Sequence, residues 1–219
     1  MTTRCDLILP SRDEAPALPP LLARVPDLFA VIVVDNGSSD DTAAVAAGLG
    51  ATVVTEPVAG YGAAVHAGLL AATHDVVAVM DADGTMHPEE LVTLLERVET
   101  GGADMAVGRR RPVGRGVWPW HARVGNAGLS WWLRRRTGVA VHDIAPVRVC
   151  RRERLLALDV RDRRFGYPVE LLIKAQRAGW RIEEFDVGYR PRAAGTRSKV
   201  TGSFRGTVRT LRDFARVLA

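Results

Sequence analysis

Lysine is nearly absent from this 219-residue chain: of its 30 basic residues only Lys174 and Lys199 are lysine, and the rest are arginine. Cysteine is scarcer than its roles require. Cys5 and Cys150 are the only two, both in apolar runs, which excludes a disulfide scaffold and a cysteine zinc site. No uninterrupted apolar stretch approaches the ~18–20 residues that cross a bilayer. The opening MTTRCDLILP carries no signal-peptide hydrophobic region, so the expectation is a cytoplasmic protein that meets membrane only from the surface. Internal repeats and clean linkers are also missing. With 47% hydrophobic and 25% charged residues, the chain is neither disordered nor fibrous. It reads as one domain, 1–219, with two functional halves, 1–107 and 108–219.

What is present is a sharp segregation of charge. The first hundred residues hold four arginines against 15 acidic residues, a formal −11, and the remainder holds 26 basic against 10 acidic, a formal +16. The net +5 hides this asymmetry, which points to an anionic partner or to two dissimilar half-sites. Arginine favours phosphate because its planar fork bonds oxyanions bidentately and stays charged at all relevant pH.

Short apolar runs alternate with amphipathic ones through the first half. Cys5–Leu9, Ala30–Val34, Ala51–Val54, Asp75–Met80 and Ala103–Val107 read as buried strands, and Pro19–Arg24, Asp41–Leu49, Ala63–Thr73 and Pro88–Thr100 as helices. Such alternation implies βαβ units and a parallel sheet, with ligands collecting beyond the carboxyl ends of its strands. Further on, Arg109–Gly116 reads as a basic loop and Trp118–Arg136 as a tryptophan-rich segment. Ala145–Cys150 and Trp180–Val187 read as strands, and Pro168–Ala178 as a helix. Arg190–Gly202 is rich in Gly and Arg. The tail reads as a helix with Phe204, Val208, Leu211, Ala215 and Leu218 on one stripe.

Two strand ends carry chemistry. Asp81-Ala82-Asp83 follows directly on DVVAVM, and carboxylates two residues apart there can converge on one hard cation. Mg²⁺ or Mn²⁺ takes one or two protein carboxylates and fills its remaining positions with water and substrate phosphate. A solvated turn is the plainer alternative, since Asp and Gly favour turns. Asp35 ends the apolar run before Asn36-Gly37-Ser38-Ser39-Asp40, where a carboxylate can accept hydrogen bonds from a ribose or base. Ser38, Ser39 and Asp40 are expected to cap the helix that follows, and Asp35 lies too early to do so.

Pro10-Ser11-Arg12-Asp13-Glu14, Asp35–Asp40, Gly60-Tyr61-Gly62-Ala63-Ala64 and Asp81-Ala82-Asp83-Gly84 together resemble glycosyltransferase family 2. Within it the chain is most similar to the dolichyl-phosphate or polyprenyl-phosphate mannosyltransferase branch. The likeness runs on through Gly108-Arg109-Arg110, Arg123, Asn126, His142-Asp143, Phe165-Gly166-Tyr167 with Glu170, and Arg197-Ser198-Lys199. It implies a GT-A α/β fold: a Rossmann-like, mostly parallel sheet flanked by helices. It also implies a nucleoside-diphosphate sugar donor, Mg²⁺ or Mn²⁺, and inversion at the anomeric carbon.

Carried over by position, Pro10, Glu14 and Asp35 would hold the nucleoside and Gly62 would lie at the donor. Asp81 and Asp83 would hold the metal and diphosphate, with Asp83 counted among the catalytic groups. Arg109 and Arg123 would face donor or acceptor phosphates, and Arg197, Ser198 and Lys199 would close over them. Asp13 stands where the family usually has Asn, and Thr85 where a Gln can complete the metal shell, so the third ligand is left open. The chain ends at Ala219 without the transmembrane segments some relatives carry.

If the acceptor is a lipid phosphate, its oxygen is already anionic and no general base is required. If it is a hydroxyl, a carboxylate must take its proton, and Glu170 and Asp143 are the candidates. Each has a structural alternative: Glu170 as favourable charge near a helix start, Asp143 as partner of an arginine such as Arg148. The tryptophans and the terminal basic helix fit core, subunit interface or membrane surface, leaving a homodimer and peripheral membrane contact open. A sugar-1-phosphate nucleotidyltransferase is disfavoured, because the loop after the first strand is not glycine-rich. A nucleic-acid-binding module would explain the arginines but not aspartates gathered at strand ends, so nucleic acid is not expected as a partner.

Overall fold

The computed structural model describes residues 4–114, 117–118, 120–144 and 146–192. Seven strands form one sheet: β1 (Cys5–Ser11), β2 (Phe29–Asp35), β3 (Thr52–Thr55), β4 (Val76–Val79), β5 (Met105–Pro112), β6 (Val147–Arg151) and β7 (Ile182–Tyr189). Their order is β3-β2-β1-β4-β6-β5-β7. All neighbours pair in parallel except β6, which runs antiparallel to both β4 and β5. The expected α/β architecture is therefore the observed one, a mostly parallel sheet with helices on both faces.

Parallel strands covered on both sides need apolar residues at every position, not at alternate ones. That is why CDLIL and VVAV read as unbroken hydrophobic runs, and Leu7, Ile8, Leu9, Val77 and Ala78 are wholly buried. Two cores result. One, containing Ile8, Val34, Val79, Val107 and Leu172, lies under α3 (Tyr61–Ala71) and α7 (Tyr167–Arg177). The other, containing Leu7, Leu9, Val33, Val149 and Leu95, lies under α1 (Leu18–Leu22) and α4 (Leu91–Glu99). Helix α4 buries Leu91, Leu94, Leu95 and Val98, the i, i+3, i+4, i+7 stripe of an amphipathic helix. The remaining helices are α2 (Thr42–Gly48), α5 (Trp120–Thr137) and α6 (Arg152–Ala157), the last not foreseen from sequence.

One expected loop is a strand. Arg109, Arg110 and Arg111 lie in β5, which continues to Pro112 by pairing with β7 as far as Tyr189. Three consecutive arginines do not look like a strand, yet pairing with Asp186 and Glu184 on β7 neutralises the outward pair. The expected caps also differ. Helix α2 starts at Thr42, and only Asp40 of the three candidates serves its start, accepting from the Thr42 amide at 3.0 Å. Arg197, Ser198, Lys199 and the terminal stripe lie outside the described residues.

Candidate active site

The carboxyl ends of β2, β1, β4 and the start of β6 open onto one cleft. Asp35 sits beside Ser11 in the β1–β2 register, so the Pro10–Glu14 turn and the Asp35–Asp40 turn are neighbours. They are stitched together. Ser38 donates its amide (3.0 Å) and its hydroxyl to Asp35 Oδ1, and its Oγ accepts from the Asp13 amide at 3.0 Å. Asp13 Oδ1 accepts from the amide and hydroxyl of Ser39. Asp13 holds a left-handed φ of 50°, a conformation that Asp and Asn tolerate better than other side chains. The two serines thus orient the carboxylates of Asp35 and Asp13. Asp35 is fixed through one oxygen, and its Oδ2 takes part in no hydrogen bond among the described residues.

Asp81 and Asp83 lie just past β4. Asp83 is 5% exposed; its Oδ1 accepts from the amide (2.9 Å) and hydroxyl (2.6 Å) of Thr85. Thr85 therefore orients the aspartate. Asp83 Oδ2 meets Arg192 at 2.5 Å, and Arg192 also reaches Glu14 at 3.3 Å. The Arg190 amide donates to the Thr85 carbonyl at 2.8 Å, which brings the chain after β7 across the aspartates. Burial and the like charge of Asp83 push Asp81 up to about 7, against the pull of Arg110, Arg148 and Arg192. The Arg192 guanidinium is drawn between Asp83 and Glu14, so carboxylates of two strand ends share one cation of the chain itself. The donors are all oxygen, which suits Mg²⁺ or Mn²⁺. Among the described residues no group of three or more His, Cys, Asp or Glu side chains converges.

Beyond β4, β5 alternates its arginines. Arg109 and Arg111 turn to one face and both bond Asp186, while Arg110 turns to the other. Asp143, 1% exposed, accepts from Arg110 three times: the amide at 2.9 Å, Nε at 2.8 Å and Nη2 at 2.6 Å. Trp118 lies over the Arg110 guanidinium at 4.4 Å and Tyr189 at 5.7 Å. Asn126 on α5 accepts from the Ile144 amide at 3.1 Å, tying the helix to this turn. Around Arg110 opens a cavity of about 560 Å³, lined among others by Arg109, Arg111, Arg123 and Arg134 and by Trp118 and Trp120. Trp120, Val124 and Trp131 on α5 stay solvent-exposed, whereas Leu133 is fully buried.

Several expected site residues are placed elsewhere. The arginines whose charge reaches Asp81 are Arg110, Arg148 and Arg192, whereas Arg109 pairs with Glu184 and Asp186 and lines the cavity around Arg110. Asp143 is the partner of Arg110 and not of Arg148, and both its oxygens are committed. Glu170 accepts from the amides of Arg161 (3.0 Å) and Asp162 (2.7 Å) and pairs with Lys174 at 2.9 Å. Burial pushes its carboxyl up, but Lys174 and the two amides outweigh that and hold it below the usual range. It fastens the 159–164 loop. Neither carboxylate is placed as a general base.

Gly62 serves that same loop. The Gly62 and Ala63 amides donate to the carbonyls of Arg164 and Arg163, and a Cβ on Gly62 would stand 2.3 Å from the Asp162 carbonyl oxygen. Every close neighbour of that Cβ is backbone, so Gly62→Ala is expected to unseat the loop and cost about 1–3 kcal/mol, read by chemical denaturation. Unchanged stability would show that the loop yields freely.

Arg192, Trp118 and Tyr189 were not anticipated. Period-two alternation would have selected Arg110 once β5 was known to extend, but no local signal marks Arg192.

Comparison with known proteins places the fold and sequence among known relatives. The sequence model described as Glycosyl transferase family 2 matches residues 6–153. An uncharacterised glycosyltransferase of Mycobacterium tuberculosis is 54% identical over 213 residues, covering 97% of each chain. The polyprenol monophosphomannose synthase of Mycolicibacterium smegmatis is 35% identical, covering 92% of this chain and 83% of that one. Among solved structures, glucosyl-3-phosphoglycerate synthase from M. tuberculosis, in complex with Mn²⁺, UDP-glucose and phosphoglyceric acid, is 25% identical. It superposes with a TM-score of 0.75 over 99% of this chain and 78% of that one.

Proposed function

The chain belongs to glycosyltransferase family 2, and from that premise we propose that it transfers a hexose, with inversion and with the help of Mg²⁺ or Mn²⁺, from a nucleoside-diphosphate sugar to a polyprenyl phosphate. The observation that carries the acceptor class is the arginine-lined cavity built around Arg110, whose charge is felt at Asp81. A cavity with five arginines and no free carboxylate base suits an acceptor that arrives as an anion. A phosphate oxygen attacks the anomeric carbon without losing a proton there, so the commitment of Asp143 to Arg110 and of Glu170 to its loop is no obstacle.

Asp81 and Asp83 would hold the divalent cation, which when bound offsets the charge that develops on the leaving nucleoside diphosphate. Arg192, poised on Asp83, adds a fixed cation to the same diphosphate, and Pro10, Glu14 and Asp35 line the nucleoside end. Arg110 and Arg123 hold the acceptor phosphate. The exposed Trp120, Val124 and Trp131, with Arg123 and Arg134 alongside, form a lip of the kind that rests in a lipid interface. Among the described residues no helix is long and apolar enough to cross a membrane.

A second reading keeps the donor and replaces the lipid by a small phosphorylated acid, supported by the phosphoglyceric acid bound to the structural neighbour. The test supplies radiolabelled nucleotide sugars and Mn²⁺, with polyprenyl phosphate in vesicles or with phosphoglycerate. Label is expected in the organic phase. Label only in a water-soluble product establishes the second reading, and no transfer to either defeats both.

A further inference from the structure

Arg148 is the second residue of β6, opposite Val79 of β4 and Val107 of β5, on the face covered by α3 and α7. It is 2% exposed, and its Nε is buried with no hydrogen-bond partner among the described residues. Among the described residues its one hydrogen bond runs from Nη1 to the Tyr61 hydroxyl at 3.2 Å. No carboxylate of the described residues lies within ion-pair distance, whereas Arg110 has Asp143 and Arg192 has Asp83. A guanidinium withdrawn from water and compensated by a single neutral hydroxyl is a large unfavourable term for folding. Its register position opposite Val79, two residues before Asp81, nevertheless sets it next to the aspartates that follow β4.

The strand order says what belongs there. In strand order the site groups run Asp35 on β2, Glu14 after β1, Asp83 after β4, Arg148 on β6 and Arg110 on β5. A nucleotide sugar is linear: nucleoside, diphosphate, sugar. With the nucleoside at β2 and β1 and the diphosphate at β4, the next position is β6, one strand short of the acceptor cavity. We propose that Arg148, steadied by Tyr61, is the contact for the donor's sugar, its unpartnered N–H groups donating to hydroxyl oxygens of the hexose. This rests on the donor reading above and adds a residue to it. The site takes a neutral polyhydroxylated ring, and the sugar supplies the hydrogen bonds that the protein leaves unmade.

The measurement is a comparison of affinities with Mn²⁺ present, UDP against UDP-glucose and GDP against GDP-mannose, in the wild type, Arg148→Met and Tyr61→Phe. Wild-type protein is expected to bind the sugar-bearing member of one pair more tightly than the bare diphosphate. Arg148→Met should lower that preference about tenfold or more while leaving the bare diphosphate within about twofold, and Tyr61→Phe should lower it by a smaller factor. Thermal melting accompanies each variant. Replacing an uncompensated buried cation by an apolar side chain of similar length should leave Tm unchanged or raised, whereas a residue kept for stability would lower it. An unchanged preference in both variants, or equal losses for diphosphate and diphosphate sugar, overturns the proposal and leaves the donor reading standing. Failure of the wild type to bind either pair overturns both.

Discussion

Alanine at position 83 is expected to reduce sugar transfer by at least about 10²–10³-fold and to abolish stabilisation by nucleoside diphosphate with Mn²⁺. Asp83 is held on three sides. Thr85 supplies two donors to one oxygen, and Arg192 meets the other. A carboxylate so fixed at a strand end loses little entropy when it takes up a cation, which is the advantage that an alanine removes. The variant should remain folded, because Arg192 still has Glu14 and no buried cation is orphaned. Asp83→Asn sharpens the test. It preserves shape and one acceptor oxygen for Thr85 but lacks the charge, so it should melt near wild type and still fail in transfer. Full activity in Asp83→Asn would defeat the metal assignment. Addition of EDTA to wild-type protein should reproduce the transfer defect without unfolding the chain.

The sheet was legible because its physics is local. Strands buried on both faces must be apolar throughout, and CDLIL and VVAV announce themselves without any knowledge of their neighbours. The same holds for the aspartates, since a carboxylate directly after such a run has few places to be but the cleft. The second half was less legible because its charges are compensated from a distance. Arg109–Arg111 read as a loop until Asp186 and Glu184, more than 70 residues later, are seen to pair with them. Asp143 and Glu170 looked like candidate bases because sequence shows a carboxylate but not what occupies its oxygens. Arg110 and a pair of backbone amides, respectively, turned out to hold them. Ser38 and Ser39 looked like caps for the same reason, since a short polar side chain in a turn has several partners within reach. The charge segregation was the most informative sequence feature. In the fold its acidic part supplies carboxylates after β2, β1 and β4, and its basic part arginines on β6, β5 and α5.

Asp143→Ala is expected to destabilise the fold by about 3 kcal/mol, a drop in Tm of roughly 10 °C for a chain of this size. Its carboxylate receives three hydrogen bonds from Arg110 and is almost completely buried, so its loss leaves the guanidinium with Trp118 and Tyr189 over it and a long 3.5 Å contact to Asn126. Removing one member of such a pair costs more than removing both, because the surviving charge has lost its compensation. The double change Arg110→Met with Asp143→Leu should therefore recover most of the lost stability. Activity should follow a different course. If Asp143 only orients Arg110, Asp143→Asn keeps some hydrogen bonding and should show a raised KM for the phosphate acceptor with a smaller change in kcat. The double variant, folded but without the cation, should not transfer at all. A general base would behave in the opposite way: Asp143→Asn would melt like wild type and lose kcat at unchanged KM. Stability and kinetics measured on the same three proteins thus separate a carboxylate that positions an arginine from one that takes a proton. The three hydrogen bonds to Arg110 favour the first.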